Sequence, residues 1–239
     1  MDKEKRMTKR TLLSAAVIFL LVPATIFAGV WLLDNRKYNL VSVLLIVFTM
    51  LPFFISFEHR KPQPRELVVI ASLAAIAVAG RGAFFMLPQF KPVAAIVIIA
   101  GVCFGPESGF LVGAMAAFVS NFFFGQGPWT PWQMFCFGII GFLAGVIFGK
   151  GILPRTRAAL CVYGGAAVLF LYGGIMNPCS VLMAQGTLTL PAVIASYITG
   201  FWPDVVHAGA TVIFLFLIAR PMMEKLDRVR IKYGLIEER

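Results

Sequence analysis

About eight long apolar runs fill most of this chain, and almost every charged residue lies at the ends of those runs. The sequence is 59% hydrophobic with a mean hydropathy of +0.87. A water-soluble core cannot hide that much apolar surface, because a folded soluble domain needs a larger polar cover. The pattern therefore predicts a protein embedded in a bilayer. The predicted spans are 11–33, 40–57, 67–87, 92–104, 109–124, 132–149, 158–180 and 203–219.

Most of these runs have the length of a membrane-spanning helix, which needs about 17–23 residues to cross a hydrocarbon core of ~30 Å. The runs are continuous rather than alternating, and this favours helices over a closed barrel. The predicted fold class is an all-α polytopic membrane protein. The run 92–104 is short, and it requires a thin region of membrane, burial among neighbouring helices or an extension into its flanks. Segment 188–202 is apolar but contains Gly200 and precedes Pro203, which predicts either a helix on the outer face or part of a bent span.

The net charge of +10 follows from membrane orientation rather than from nucleic-acid binding. If the N-terminus is cytoplasmic, all of the Lys and Arg residues except four fall on the cytoplasmic face. The exceptions are Arg36, Lys37 and Lys91 outside and Arg81 within a span. The positive-inside rule therefore predicts eight crossings with both termini in the cytoplasm.

The motifs of several enzyme classes are absent from the sequence. No GxxxxGK[ST], HExxH or GxSxG pattern occurs, and the two histidines, His59 and His207, are far apart. The four cysteines lack CxxC spacing and are expected to be apolar packing residues. We therefore predict no catalytic residue, no metal site and no cofactor.

Aromatic and uncharged polar residues collect at the outer ends of the predicted spans. A concave apolar pocket with a few polar groups is the usual form of a small-molecule site, so the pattern predicts a site that opens outward. An aromatic belt at the membrane interface is the alternative explanation for each Trp. The predicted substrate-binding residues in these loops and helix ends are Phe85, Gln89, Phe90, Lys91, Asn121, Trp129, Thr130, Trp132, Gln133, Asn177 and Trp202.

Three ionisable residues complete the predicted substrate-binding set. Arg81 lies about six residues, roughly 9 Å of helix, below the outer end of its span, and Asp204 follows Pro203 at the start of the last span. These two could form a pair or contact a ligand. The alternatives are that Arg81 extends to the lipid headgroups and that Asp204 caps its helix. His207, one turn beyond Asp204, is more often a hydrogen-bonded core histidine than a ligand.

Small residues recur at intervals of four in three spans, a spacing that lets membrane helices approach closely. The two rows that contain glycine are expected to serve internal packing. The alanine row offers a smooth stripe that can also slide against a partner. The rows are Ala71, Ala75 and Ala79, then Gly109, Gly113 and Ala117, then Gly141, Gly145 and Gly149.

Several motifs, in their order along residues 65–235, resemble the substrate-binding S component of energy-coupling factor (ECF) vitamin transporters. After the small-residue helix comes Gly105-Pro106-Glu107-Ser108-Gly109, and then Ser120-Asn121. Next is Gly125-Gln126-Gly127-Pro128-Trp129-Thr130-Pro131-Trp132-Gln133-Met134. The last span opens with Pro203-Asp204-Val205-Val206-His207-Ala208, and Leu226-Asp227-Arg228-Val229-Arg230-Ile231-Lys232-Tyr233-Gly234-Leu235 resembles the cytoplasmic tail.

The resemblance implies a non-enzymatic subunit in the plasma membrane of a prokaryote. A six-helix core at 65–220 would hold a vitamin near the outer surface, with a cytoplasmic tail at 221–239. The region 1–64, with two additional spans, departs from the common six-helix pattern. ATP would be hydrolysed by two separate ABC-type ATPases, which act with a transmembrane coupling subunit. Ala71, Ala75 and Ala79 would contact that coupling subunit, and the S component would topple in the membrane to carry its site inward.

The substrate and the transport class have alternatives. The Phe- and Trp-rich, nearly neutral outer loops suit a large amphipathic ligand, which puts cobalamin or a related corrinoid first and riboflavin or another flat vitamin next. A secondary carrier driven by an ion gradient is the competing class, although Asp204 is the one candidate for an intramembrane acid. A membrane protein with an interaction role and no transport is the third class.

Overall fold

A computed structural model describes residues 64–186 and 188–233, together with the single positions 20, 23, 24, 48 and 51. The predicted spans 11–33 and 40–57 lie outside the described residues apart from those positions. Regular structure in 64–233 consists of six helices. They are α1 (Pro64–Ala83), α2 (Val93–Phe104), α3 (Pro106–Phe124), α4 (Thr130–Gly149), α5 (Arg157–Gln185) and α6 (Leu190–Tyr233).

Five of these helices are long and apolar enough to cross a membrane, so the all-α polytopic membrane fold is confirmed. The remaining helix, α2, has 12 residues, and all of them are buried. Burial among neighbouring helices is therefore how the short run 92–104 is accommodated. A single residue, Gly105, links α2 to α3 with φ at 94°, a value that glycine adopts readily because it has no Cβ.

Helix α6 is longer than the predicted last span. It runs without interruption for 44 residues and includes both Pro203 and Pro221. At 1.5 Å per residue its length is about 66 Å, twice the ~30 Å hydrocarbon core. Segment 190–202 is therefore the first part of the last helix, and Gly200 and Pro203 do not end it. Both ends of α6 extend beyond the apolar centre of the bundle.

The centre of the bundle is a backbone contact between α2, α3 and α4. A Cβ built on Gly109 would lie 2.7 Å from the Gly101 Cα and 2.5 Å from the Gly141 carbonyl oxygen. One turn further along α4, a Cβ on Gly145 would lie 2.5 Å from the Pro106 nitrogen, whereas nothing lies within 4 Å at Gly149. Most of the predicted glycine rows are therefore confirmed as packing surfaces.

Because the chain reverses direction at each connection, the loops collect at two ends of the bundle, and these ends differ in chemistry. The aromatic end comprises the loops 84–92 and 125–129 and the connection between α5 and α6. The basic end comprises Gly105, the loop 150–156 and the last turns of α6. A cavity of about 450 Å³ opens at the basic end, lined by Arg155, Thr156, Arg157, Arg220, Met223, Glu224 and Asp227.

We expect the substitution Gly141→Ala to destabilise the protein by about 1–3 kcal/mol, because an added methyl group forces closely packed helices apart. In the structure a Cβ at Gly141 would lie 2.6 Å from the Gly109 carbonyl carbon. Thermal unfolding of the detergent-purified full chain measures the effect. Gly149→Ala on the same helix is the matched control and should leave the melting temperature unchanged. Equal shifts for both variants would show that the glycine contact does not hold the bundle.

Candidate functional site

The Arg81 guanidinium, in the last turn of α1, is directed towards α3 at the aromatic end. Its Nη1 donates hydrogen bonds to Ser120 Oγ at 2.5 Å and to Asn121 Oδ1 at 2.8 Å. The guanidinium carbon also lies 5.1 Å from the centre of the Phe124 ring. These partners hold the half-buried guanidinium in place, and all of them are neutral.

Asn121 is the central residue of this polar network. Its side chain is 1% exposed, and its Nδ2 donates to Thr130 Oγ1 at 3.0 Å and to Gln133 Oε1 at 2.9 Å. Thr130 in turn donates to Gln126 Oε1 at 2.9 Å. The Asn121 amide therefore connects Arg81 of α1 to the first turn of α4 through α3.

The network continues into α5 through Tyr172. Gln133 Nε2 lies 3.5 Å from the Tyr172 hydroxyl oxygen and donates to it. Tyr172 ends a six-residue π-helical segment, Ala167–Tyr172, within α5. A π-helical insertion rotates the residues that follow it relative to the helix before it. Such segments often occur at functional sites.

His207 of α6 packs against the same cluster and is 4% exposed. Its ring meets Tyr172 edge-on at 4.7 Å and Phe137 at 6.0 Å between centroids. Its Nδ1 is buried and has no hydrogen-bond partner among the described residues. The histidine thus lies in the core as expected, and among the described residues its Nδ1 forms no hydrogen bond.

Asn177 and Asp204 form a separate contact between α5 and α6. Asn177 Nδ2 donates to Asp204 Oδ2 at 2.7 Å. Each side chain packs on a glycine of the opposite helix, Asp204 on Gly173 and Asn177 on Gly200. The pair of Arg81 with Asp204 that the sequence permits is not formed, because each side chain bonds elsewhere.

Lys91 closes the loop between α1 and α2. Its Nζ donates to the carbonyl oxygens of Phe84 and Leu87, and to that of Phe85 at 3.3 Å. Desolvation, followed by the nearby positive charge of Arg81, holds the pKa of Lys91 below its ordinary value. The loop is also held by Phe90, whose ring lies 5.2 Å from that of Phe214 in α6.

The remaining predicted residues lie nearer the surface. The Phe85 ring is 59% exposed and stacks on Phe124 at 5.3 Å. Trp129 packs over Gly127, and Trp132 is half-buried. Gln89 is exposed with φ at 57°, and Trp202 is 70% exposed. Gln89 and Trp202 therefore lie apart from the buried network, and the exposure of Trp202 favours the aromatic-belt explanation for that residue.

Sequence reasoning missed several members of the site. Ser120 was noticed only as part of a family motif, and Tyr172 and Phe137 were not selected. A polar aromatic residue five positions before Asn177 in an apolar span was an available signal for Tyr172. Its orientation depends on the π-helical segment, which no sequence pattern revealed.

The predicted docking stripe lies on the outer face of α1. Ala71, Ala75 and Ala79 are exposed, whereas Ala74 and Ala77 are buried against the bundle. All four cysteines are free thiols. Within the part of the chain that the structure describes, no three His, Cys, Asp or Glu side chains form a group that could hold a metal.

Comparison with known proteins gives one family. A model described as "ECF-type riboflavin transporter, S component" matches residues 61–220. A UPF0397 protein of Vibrio atlanticus is 34% identical over 125 residues, which cover 47% of this chain and 65% of the relative. A UPF0397 protein of Aliivibrio salmonicida is 36% identical over 98 residues, covering 39% and 51%. The chain therefore spans between half and two thirds of the length of these relatives. No solved structure matches it.

We expect Asn121→Ala to destabilise the protein by about 1–3 kcal/mol, because it removes one of the two acceptors of Arg81 Nη1 and the donor to Gln133 Oε1. Thermal unfolding in detergent measures the change. Gln185→Ala, at the exposed end of α5, is the control and should change stability by less than about 0.5 kcal/mol. A melting temperature that is the same in the Asn121 variant and the unmodified protein would contradict a structural role for the network.

Proposed function

Because this chain belongs to the family of ECF-type riboflavin transporter S components, we propose that it is the subunit that captures the substrate of an ECF-type importer. A separate transmembrane coupling subunit and two ABC-type ATPases supply the driving force. The chain itself binds the substrate, a vitamin, and catalyses no reaction.

The buried network from Arg81 through Asn121 and Gln133 to Tyr172 carries this proposal. Polar and charged groups inside a membrane bundle are costly and usually mark a path or a site. This network draws on four different helices and lies beneath loops rich in aromatic residues. Apolar walls with a few oriented polar groups are the form that small-molecule sites take.

Charge placement supports an orientation with the aromatic end outside the cell and both termini in the cytoplasm. Excess Lys and Arg mark cytoplasmic loops. Basic residues collect in the loop from α4 to α5, at the start of α5 and in the last turns of α6: Lys150, Arg155, Arg157, Arg220, Lys225, Arg228, Arg230 and Lys232. We assign the substrate-binding core to 65–220, the additional N-terminal region to 1–64 and the cytoplasmic tail to 221–239. The membrane is the plasma membrane of a prokaryote.

The first substrate candidates are cobalamin, or a related corrinoid, and riboflavin. The rings of Phe84, Phe90 and Phe214 form one cluster beside the site, with centroid distances of 5.0–6.0 Å. Such rings provide apolar and stacking surface for a large amphipathic or flat molecule. Riboflavin is supported by the description of the family, and cobalamin by the nearly neutral, aromatic loops.

Equilibrium binding of the detergent-purified full chain tests the proposal. We expect submicromolar, single-site binding of one vitamin from a panel led by cobalamin and riboflavin, with no ATPase present. Calorimetry and retained absorbance provide two readouts. A folded protein that binds no member of the panel would overturn the proposal. Uptake that needs no ATPase and is abolished by a protonophore would instead support an ion-gradient carrier.

The exposed alanine stripe is proposed as the docking surface for the coupling subunit. We expect Ala75→Leu to leave substrate binding unchanged but to reduce complex formation and transport at least tenfold, because a smooth face permits close helix contact. Ala166→Leu, at an exposed alanine of α5, is the matched control and should leave both unchanged. Equal loss of binding and transport in the Ala75 variant would contradict the docking role.

A further inference from the structure

We propose that the substrate bound at the aromatic end carries an anionic group, a carboxylate or a phosphate, and that this group pairs with the Arg81 guanidinium. The inference rests on the proposed function, since it assumes that the buried network is the substrate site. It narrows the substrate to a vitamin with an anionic group, which cobalamin has in its phosphodiester and riboflavin lacks, and it assigns Arg81 as the residue that selects for that group.

The first support is the charge balance of the aromatic end. Two cations lie at this end, Arg81 in the last turn of α1 and Lys91 in the loop that follows. Asp204 is the acid that the described chain places at this end, and its carboxylate is bonded to Asn177. The other acids of the described residues lie towards the basic end, in the first turns of α1 and α3 and the last turns of α6. They are Glu66, Glu107, Glu224 and Asp227.

The second support is the geometry of the guanidinium. Both of its hydrogen bonds to described residues use Nη1, so Nε and Nη2 remain to donate to a ligand. Two nitrogens on one side of a planar fork match the two oxygens of a carboxylate or phosphate. Phe124 lies under the guanidinium plane at 5.1 Å, and Ser120 and Asn121 fix its orientation before any ligand arrives.

The third support is the polar group left unsatisfied in the same cluster. His207 is 96% buried, and its Nδ1 lacks a partner within the described chain. Buried polar atoms are nearly always hydrogen-bonded in folded proteins. A half-buried cation with neutral partners and a histidine nitrogen that no described residue bonds together indicate a cluster that its ligand completes.

Binding of matched ligand pairs to the full chain tests the inference. The probes are pantothenate and panthenol, biotin and biotinamide, nicotinate and nicotinamide, and flavin mononucleotide and riboflavin. Within the pair that binds, we expect the anionic member to bind at least tenfold more tightly. We expect Arg81→Gln to abolish that preference and Arg81→Lys to retain part of it, while Lys150→Gln at the exposed basic end preserves it.

The comparison within a pair uses the unmodified chain, so it does not depend on how the Arg81 variants fold. Equal or tighter binding of the neutral member would overturn the inference and leave the proposed function standing. If the vitamin that binds carries no anionic group, the inference falls and the proposed function stands. If folded protein binds no member of any pair and no vitamin of the wider panel, both fall.

Discussion

The contact of Gly101, Gly109 and Gly141 is the constraint on which the rest of the bundle depends. In a membrane the hydrophobic effect provides little attraction between helices, so stability comes from close packing and from satisfied polar groups. The absence of three side chains at one point brings the backbones of α2, α3 and α4 together. As a result α2 is buried along its whole length, and the aromatic ends of α3 and α4 are fixed at the distance that lets Asn121 bond to Gln133.

The polar network is a second layer built on that packing. Asn121 can accept from Arg81 and donate to two residues of α4 because α3 and α4 are already held in register. The network then joins the peripheral helices to the centre, α1 through Arg81 and α5 through Tyr172. On the opposite side, the Tyr163 hydroxyl donates to the Ile140 carbonyl at 2.6 Å and fixes the first half of α5 against α4. Among the described residues, two buried side-chain atoms lack a hydrogen-bond partner, His207 Nδ1 beside this network and Asp227 Oδ1 at the basic end.

Hydropathy and spacing predicted the membrane class and most helix positions, because both follow from local composition. They failed where geometry depends on distant parts of the chain. Of the two alternatives for segment 188–202, the structure shows part of a longer span, since α6 continues through both Gly200 and Pro203. Residue type at helix ends selected Arg81, Asn121, Thr130 and Gln133, and the structure brings these four side chains together. Residue type alone could not show that Asn177 and Asp204 form a contact of their own, in which they bond to each other. The inward orientation of Tyr172 follows from a π-helical segment and has no signature in residue spacing.

Helix α1 connects the two surfaces on which the proposed function relies. Its buried side contributes Arg81 to the network, and its outer side presents Ala71, Ala75 and Ala79. Within the described chain it packs on α2 and α3, so one of its long faces is left open. If an anion pairs with Arg81, the last turn of α1 gains a bond, and a continuous helix conveys that constraint to the alanine stripe two residues away. A ligand at Arg81 alters the affinity of a partner for the stripe only if the two bind different positions of α1 with different strength, and the coupling is then equal in both directions. Under the proposed function, substrate recognition and partner docking therefore use two faces of the same helix.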